Sequence, residues 1–368
     1  MSRIVVKIGS NILTESTGGL NYKRIQTIAH DVADACDAGY EVVLVSSGAI
    51  AAGMKKMGLT EKPKEIVLKQ AAAAAGQSSL MRAYERSFRR RHKEVAQVLL
   101  TRGVVSVRPT YLNSRNTLTT LLSYGLIPIV NENDTVATDE IKFGDNDQLA
   151  AIVSGLIEAD RLIILSDVDG LYSTDPKKDR TAQIIPYVSE VTPSLESTAG
   201  GAGSMVGTGG MYSKLLAAKK ATSFGICVNI VSGKKGGLLL SLLNGHHHGT
   251  EFAAGKRHMT SRKGWIAYAM KPKGTLILDD GAVNAILKGG KSLLPSGIVK
   301  IEGIFADREA VFCVDKSGNR IAKGIVNYSS VDLEKIKGRK TSEIEKILGT
   351  KHEDEIIHRD DLVVLQKV

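Results

Sequence analysis

The chain has 368 residues, of which 43% are hydrophobic and 24% charged, and its net charge is +10. This length favours two domains over one, and no apolar run approaches the ~20 residues of a membrane-spanning helix, which excludes an integral helical membrane protein. The three cysteines are scattered and the N-terminus lacks a signal-peptide pattern, so we expect reduced thiols and a cytoplasmic protein.

The first part of the chain alternates buried strands with helices. An apolar strand at 4–6 runs into Lys7 and then Gly9, and a lysine and a glycine at the end of a first strand are typical of a phosphate site. The strand at 42–45 ends in small residues at 46–50, which lead into a helix. The free backbone N–H groups of such a turn form either an anion site or an ordinary tight connection.

Hydrophobic periodicity continues this alternation through most of the chain. Further helices are predicted at 21–38, 63–92 and 109–123, and further strands at 95–100, 162–165 and 226–231. Strands that alternate with helices predict an α/β fold with a mostly parallel sheet and helices on both of its faces.

The most informative stretch is 127–151, where a polar loop joins a buried strand to a helix. The apolar residues 127–130 run into the cluster Asn131-Glu132-Asn133-Asp134, and Gly144-Asp145-Asn146-Asp147 opens the next helix. In open α/β sheets, ligands bind beyond the carboxyl ends of the strands. Amide and carboxylate groups at that position suit an ammonium group, a metal ion or a phosphate-binding lysine.

A glycine-rich segment, GGAGSMVGTGGMYSK at 200–214, precedes a helix and ends in Lys214. Glycine N–H groups together with a lysine in the first helical turn form a phosphate-binding arrangement. The segment matches neither GxxxxGK[ST] nor GxGxxG. Nucleotide binding through a different loop and a flexible surface loop both stay open.

The last part of the chain changes to short strands separated by glycine turns, which predicts a small, mainly-β domain. We place an α/β domain at 1–255, a polar linker at 256–271, the small domain at 272–352 and a tail at 353–368. The basic excess per residue is larger in this part, which indicates an anionic ligand, nucleic acid or a solvated basic surface. Three adjacent histidines at 246–248 cannot all face one metal, so we interpret them as loop.

Six segments together resemble one family. In chain order they are VVKIGSN, VSSGAIAAG, PIVNENDTVAT, FGDNDQLAA, LSDVDGLYSTDP and GTGGMYSKL, and they resemble the motifs of the glutamate 5-kinases, a family of the amino acid kinase superfamily. The later segment GTLILDDGAVNAILKGGKSLLPSGI resembles the PUA domain that many bacterial members carry. The resemblance covers essentially the whole chain and implies the amino acid kinase fold followed by a mainly-β PUA-like domain. Ser46 stands where the family has threonine.

The resemblance implies ATP-dependent phosphorylation of the γ-carboxylate of L-glutamate, which yields L-glutamyl 5-phosphate and ADP in the first step of proline biosynthesis. ATP is then the co-substrate, Mg²⁺ bridges its phosphate oxygens with few direct protein ligands, and L-proline inhibits at the glutamate site. The elementary chemistry agrees, because the acceptor carboxylate is already ionised at neutral pH and needs no general base.

The resemblance also implies roles for single residues. The catalytic set would surround the transferring phosphoryl group with two ammonium groups steadied by one acid: Lys7, Lys214 and Asp147. Glutamate would bind to Ser47, Asn131, Asp134 and Asn146, and its α-ammonium group would pair with Asp134. The nucleotide would bind to Lys7, Gly9, Ser166, Asp167, Thr208, Gly209, Gly210, Met211 and Lys214. The glycines expected to bring backbone N–H groups to the phosphates are Gly9, Gly48 and Gly209.

The resemblance further implies a homo-oligomer, either a dimer or a tetramer. It also implies two candidate partners, which are glutamyl phosphate reductase and, through the PUA domain, RNA. Two alternatives stay open. One is a superfamily member with another acceptor, such as carbamate or uridylate, which would need no acid at Asp134 for an ammonium group. The other is an RNA-binding or RNA-modifying protein led by the C-terminal domain, against which the scarcity of aromatic residues for base stacking counts.

Overall fold

The computed structural model describes residues 2–15, 18–101, 107–136, 146–176, 178–199, 209–255, 261–351 and 353–365. The chain divides into two compact units, Met1–His258 and Met259–Val368. Within the described ranges, no helix combines the length and the apolar character that crossing a membrane requires.

The first unit is built on one sheet, whose strands among its described residues are β1 (Arg3–Ile8), β2 (Glu41–Val45), β3 (Val95–Leu100), β4 (Ile127–Glu132), β5 (Arg161–Ser166), β6 (Tyr187–Val188), β7 (Cys227–Ser232) and β8 (Thr250–Phe252). They lie in the order β3-β4-β2-β1-β5-β7-β8-β6. Neighbouring strands are parallel except for β7 and β8. The predicted α/β fold with a mostly parallel sheet is therefore confirmed.

The described helices of this unit are α1 (Ser10–Leu13), α2 (Tyr22–Asp37), α3 (Ala49–Lys56), α4 (Ile66–Arg89), α5 (Arg108–Ser123), α6 (Asn146–Leu156), α7 (Pro193–Ala199), α8 (Gly209–Ser223) and α9 (Leu238–Leu243). Alternate strand residues such as Ile4, Val6 and Leu44 pack into one core with α2 and α4. The intervening residues, such as Val5 and Val43, are also fully buried, and α6 contacts β1 and β5. Since strand side chains alternate between faces, the sheet is covered on both.

Helices α3 and α4 approach each other very closely. A Cβ atom at Gly53 of α3 would lie 1.7 Å from the Ala72 carbonyl oxygen, and one at Gly76 of α4 would lie 1.8 Å from the Ala49 carbonyl oxygen. Only glycine permits this approach, so the crossing fixes the first residue of α3 against the middle of α4.

The second unit contains a five-stranded sheet among its described residues, in the order β10-β9-β11-β12-β13. Its strands are β9 (Gly274–Leu278), β10 (Ile298–Glu302), β11 (Ala310–Val314), β12 (Arg320–Ile325) and β13 (Leu362–Val364). Its α-helices in the described part are α10 (Ser261–Gly264), α11 (Asp280–Gly289), α12 (Ser330–Ile336) and α13 (Ile344–Leu348). The mainly-β character of this unit agrees with the prediction from the sequence.

The structure divides this end of the chain differently from the predicted boundaries. In the predicted linker, α10 leads into a π-helix, Trp265–Ala269, in which Trp265 and Ile266 are buried. Lys323 of β12 donates hydrogen bonds to carbonyl oxygens of this segment. In the predicted tail, β13 pairs with β12. Both segments complete the sheet unit, because they bury apolar side chains and satisfy backbone groups that the 272–352 segment alone leaves open.

Candidate active site

The site lies at the edge where neighbouring parallel strands end. Lys7 is near the end of β1, Ser46 follows β2, and Ser166 closes β5. Asn131 was predicted in a loop but lies within β4, because its pairing with Leu99 of β3 extends the ladder beyond the apolar run. Parallel strands bring these four carboxyl ends together.

Two lysines meet at one acid. Lys7 Nζ lies 2.5 Å from Asp147 Oδ1, and Lys214 Nζ lies 3.1 Å from Asp147 Oδ2. Asp147 is in the first turn of α6 and Lys214 in α8, and all three residues are at most 8% exposed. Burial alone would raise the pKa of Asp147, but the two ammonium groups outweigh it and hold that pKa below its ordinary value. The two lysines and the one carboxylate together carry a net charge of +1, which suits a polyanionic ligand.

Glycines border both ammonium groups. A Cβ atom would lie 3.9 Å from Lys7 Nζ at Gly9 and 3.9 Å from Lys214 Nζ at Gly210. The Gly9 N–H donates to the Leu165 carbonyl oxygen at 3.0 Å. We expected this N–H to approach a phosphate, but in the structure it is bonded to β5 instead. The contribution of Gly9 to the site is its lack of a side chain beside Lys7 Nζ.

An amide cluster adjoins the lysines. Asn146 Nδ2 lies 2.7 Å from the Ser46 carbonyl oxygen, 3.0 Å from Ser47 Oγ and 3.0 Å from Asn131 Oδ1. One side chain at the start of α6 thereby ties together the ends of β2 and β4. Asp147 is the next residue, so the first turn of α6 contributes one side chain to the amide cluster and one to the lysine–acid group.

Asp134 lies just beyond β4, and among the residues that the structure describes no opposite charge offsets its burial. Burial raises the pKa of Asp134 to about 6. An ammonium ligand at this carboxylate would remove the cost of burial and lower the pKa again. The carboxyl of Asp134 therefore favours a cationic partner.

Asn11 is a polar contact that the sequence reading did not assign to the site. Asn11 Nδ2 donates to Asp167 Oδ2 at 2.8 Å, and Ser166 Oγ donates to Asp167 Oδ1 at 3.2 Å. Burial would raise the pKa of Asp167, but these hydrogen bonds outweigh it and lower that pKa. The carboxylate at the end of β5 is therefore ionised and held in place.

Two further side chains that sequence reasoning missed belong to α4. Tyr84 OH lies 2.8 Å from Ser46 Oγ, and Gln77 Oε1 accepts from Asn131 Nδ2 at 2.9 Å. The signal was their spacing of seven residues, which places them on one face of a helix. Burial raises the pKa of Tyr84 beyond the ordinary range of tyrosine, so its hydroxyl acts as a neutral hydrogen-bonding group.

Some predicted positions lie outside the described residues, namely 200–208 of the glycine-rich segment, which includes Thr208, and Gly144 with Asp145. Gly209, Gly210 and Met211, predicted in the glycine loop, form the first turn of α8, so Lys214 lies in the second turn of this helix rather than in its first. In the described part of the chain, no cluster of three or more histidine, cysteine, aspartate or glutamate side chains is arranged to hold a metal.

The three histidines at 246–248 lie between α9 and β8, outside helix and strand, which agrees with the predicted loop. His248 Nε2 lies 2.8 Å from Ser241 Oγ. The ring of His248 is thus engaged by its own local structure.

The second unit contains a cleft of about 650 Å³ at the start of α11. Its basic lining residues are Lys291, His358 and Arg359. The acids Asp279 and Glu355 also line it, and Asp279 caps α11 by accepting from the Ala282 N–H at 2.6 Å. The cleft therefore offers cations beside polar groups and suits an anionic ligand with a polar edge.

Comparison with known proteins matches residues 2–232 to the amino acid kinase family and residues 274–348 to the PUA domain. A glutamate 5-kinase of Geobacter sulfurreducens is 50% identical over 99% of this chain and 98% of its own length. Those of Syntrophus aciditrophicus and Caldanaerobacter subterraneus subsp. tengcongensis are 50% and 51% identical, over 100% and 99% of this chain and 95% and 98% of their own lengths.

Proposed function

We propose residue roles for a chain that belongs to the glutamate 5-kinases, within the amino acid kinase family. As a member of that family it phosphorylates L-glutamate with ATP in proline biosynthesis. The observation that carries the proposed roles is the contact of Lys7 and Lys214 with the two oxygens of Asp147. Two ammonium groups held apart by one buried acid fit the charge that spreads over a transferring phosphoryl group.

In this proposal Lys7 neutralises the phosphates from the end of β1, and Lys214 stabilises the transferring group from the start of α8. Asp147 keeps the two cations at a fixed separation, because without it they would repel each other at close range. The γ-carboxylate of glutamate attacks the terminal phosphorus and ADP leaves. No proton has to be removed, since the nucleophile is already ionised.

The glutamate site in this proposal is the amide cluster with Asp134. Asp134 pairs with the α-ammonium group, and Ser47, Asn131 and Asn146 supply polar groups for the rest of the molecule. Ser166, Asp167 and the start of α8 border the nucleotide. Support comes from the contacts of Asn146, which fix this cluster beside the lysines.

Magnesium is a proposed partner of the nucleotide. Both oxygens of Asp147 are engaged by lysines, and those of Asp167 by Asn11 and Ser166. The donor set therefore fits a Mg²⁺ ion that is held chiefly by phosphate oxygens and water, which is the ordinary preference of this ion. When bound, the ion would supply charge neutralisation between the phosphates.

The acceptor assignment is tested by ADP release with glutamate, aspartate, carbamate and UMP offered separately. We expect glutamate to give the highest kcat/KM by more than tenfold, since Asp134 needs an α-ammonium group and the site must also reach a γ-carboxylate. Faster turnover of carbamate or UMP would contradict the proposed site. A cytoplasmic location, a homo-oligomer, inhibition by L-proline and a link to glutamyl phosphate reductase stay predictions, and competition between proline and glutamate in the same assay tests the third.

A second candidate function is RNA binding by the PUA unit, favoured by the cations around its cleft. Phosphate contacts make nucleic-acid affinity fall steeply with salt. We expect the double variant Lys291→Ala, Arg359→Ala to lower both the affinity for a structured RNA and its salt dependence. Salt-independent or unaltered binding would contradict this candidate function and leave the kinase assignment untouched.

A further inference from the structure

Gln77 carries a buried hydrogen-bond donor that its protein neighbours do not use. Its Oε1 accepts from Asn131 Nδ2 at 2.9 Å. Its Nε2 is shielded from solvent, and no acceptor for it lies among the residues that the structure describes. A buried N–H group without an acceptor is unfavourable, so the position of Gln77 Nε2 indicates that its acceptor arrives with a ligand.

The orientation of the Gln77 amide follows from an unambiguous backbone donor. The Glu132 N–H donates to Asn131 Oδ1 at 2.9 Å, which fixes the oxygen of Asn131. The Asn131 Nδ2 group then faces Gln77 and donates to its Oε1. The NH₂ group of Gln77 is thereby turned away from Asn131, with no freedom to exchange the two ends.

The helix crossing places Gly76, the residue before Gln77, against Ala49, the first residue of α3. This residue follows Ser47 and Gly48, whose backbone leads from β2 into α3. The N-terminal end of α3 carries partial positive charge, so it and the Gln77 donor both favour a negatively charged group.

The chain of contacts places Gln77 away from the reacting phosphoryl group. Asp147 adjoins Asn146, Asn146 contacts Asn131, and Asn131 contacts Gln77. Gln77 is thus separated from the lysine pair by three intervening residues. A glutamate whose γ-carboxylate faces the lysines would present its other end in this direction.

We propose that Gln77 Nε2 donates a hydrogen bond to the α-carboxylate of bound glutamate. Gln77 is then a specificity-determining residue, which selects acceptors that bear a carboxylate next to their ammonium group. The inference rests on the proposed glutamate site. Because this contact is remote from the reacting atoms, it is equally strong in the ground state and the transition state, and it lowers KM without raising kcat.

Two variants of nearly equal size separate substrate binding from structural support. Gln77→Met removes both hydrogen bonds, and we expect the KM for glutamate to rise about 10-fold to 100-fold, the range for a hydrogen bond to a charged group. Gln77→Glu keeps the oxygen that accepts from Asn131 but replaces the donor with negative charge. We expect its KM for glutamate to exceed that of Gln77→Met, with kcat and the KM for ATP within about threefold of wild type in both.

A wild-type KM for glutamate in Gln77→Glu would overturn the inference, because it would mean that accepting from Asn131 is the whole role. A parallel loss of kcat and of both KM values together with a lower Tm would also overturn it, in favour of a structural role. As a matched ligand control, 4-aminobutyrate keeps the ammonium and carboxylate ends but lacks the α-carboxylate.

The inhibition constant of 4-aminobutyrate against glutamate is expected to be the same in wild type and Gln77→Met. A rise in parallel with the KM for glutamate would contradict a specific contact with the α-carboxylate. Wild-type protein that fails to phosphorylate glutamate would instead overturn the proposed site, so the two failures are distinguishable before any variant is made.

Discussion

At the scale of single residues, the main feature of the site is two positive charges placed close together. Lys7 and Lys214 come from distant parts of the chain and contact opposite oxygens of Asp147. Each of the three has low exposure, and a buried charge is tolerated only when it is paired. The sequence indicated these residue types at helix and strand ends, and the family resemblance implied one acid between the two cations; the fold adds that each lysine contacts a different oxygen of that acid.

Asp134 leads to a prediction about pH. Burial raises its folded-state pKa from an ordinary 3.8 to about 6. Above that pH the carboxylate is ionised and can pair with an ammonium group; below it, the carboxyl is neutral and the pair is lost. We therefore expect the KM for glutamate to rise about fourfold between pH 7.5 and 5.5 in kinetic assays, with less change in the KM for ATP.

The control for this prediction is Asp134→Asn, whose KM for glutamate should be high but flat over the same pH range. The raised pKa also has a stability consequence of known sign. The folded state binds the proton more tightly, so the free protein loses this contribution to stability as pH rises from about 4 to 6. A wild-type KM that is constant across the range would contradict the pairing of Asp134 with an ammonium group.

At the scale of elements, the α3–α4 crossing supports the proposed glutamate site. Glycines at the crossing let α4 reach Ala49, and the same helix supplies Tyr84 to Ser46 and Gln77 to Asn131. Hydrophobic periodicity predicted a helix at 63–92, which contains α4. Periodicity identifies a face, whereas the partner of a polar residue on that face depends on which strand ends lie behind it.

A substitution at the crossing tests this support. In Gly76→Ala the new methyl group would meet the Ala49 carbonyl oxygen at 1.8 Å, and backbone cannot move aside as a flexible side chain does. We expect a loss of about 2 kcal/mol or more in the free energy of unfolding, measured by urea denaturation, together with a raised KM for glutamate. Ala74→Ser, on the exposed side of α4, should change stability by less than about 0.5 kcal/mol. Equal stability of both variants would argue against a rigid crossing.

Element boundaries show where sequence reasoning ends. The polar residues Asn131 and Glu132 were predicted as loop because polarity usually marks the end of a buried strand. The structure keeps them in β4, because β3 continues alongside them. The basic composition of 256–271 likewise suggested a linker, although Trp265 and Ile266 supply enough apolar surface to pack. Non-local pairing decided both cases, and a single sequence does not show it.

At the scale of the whole molecule, the chain is two compact units that divide near His258. The sequence predicted an α/β part followed by a mainly-β part, because the change from long alternating elements to short strands with glycine turns is a local signal. It did not show that β13 completes the second sheet. A short apolar run near a chain end is read as tail unless its partner strand is known.

This division predicts separable activities. The proposed catalytic and glutamate-binding residues all belong to the first unit. A truncated protein of residues 1–258 is therefore expected to fold and to keep measurable glutamate-dependent ADP release, while it loses any RNA affinity of the second unit. Circular dichroism and the ADP assay check this together. A well-folded truncation without any turnover would show that the second unit is required for catalysis.

The central claim, that two lysines act on one phosphoryl group, is tested most directly by the kcat of Lys214→Met. Removal of a cation that stabilises the transition state should lower kcat by about 100-fold or more, with Tm and the KM for ATP changed little. Lys219→Met is the matched control, because Lys219 lies on the same helix with its side chain 49% exposed and paired to Glu196; its kcat should equal that of wild type. A kcat within about threefold of wild type in folded Lys214→Met would contradict the account.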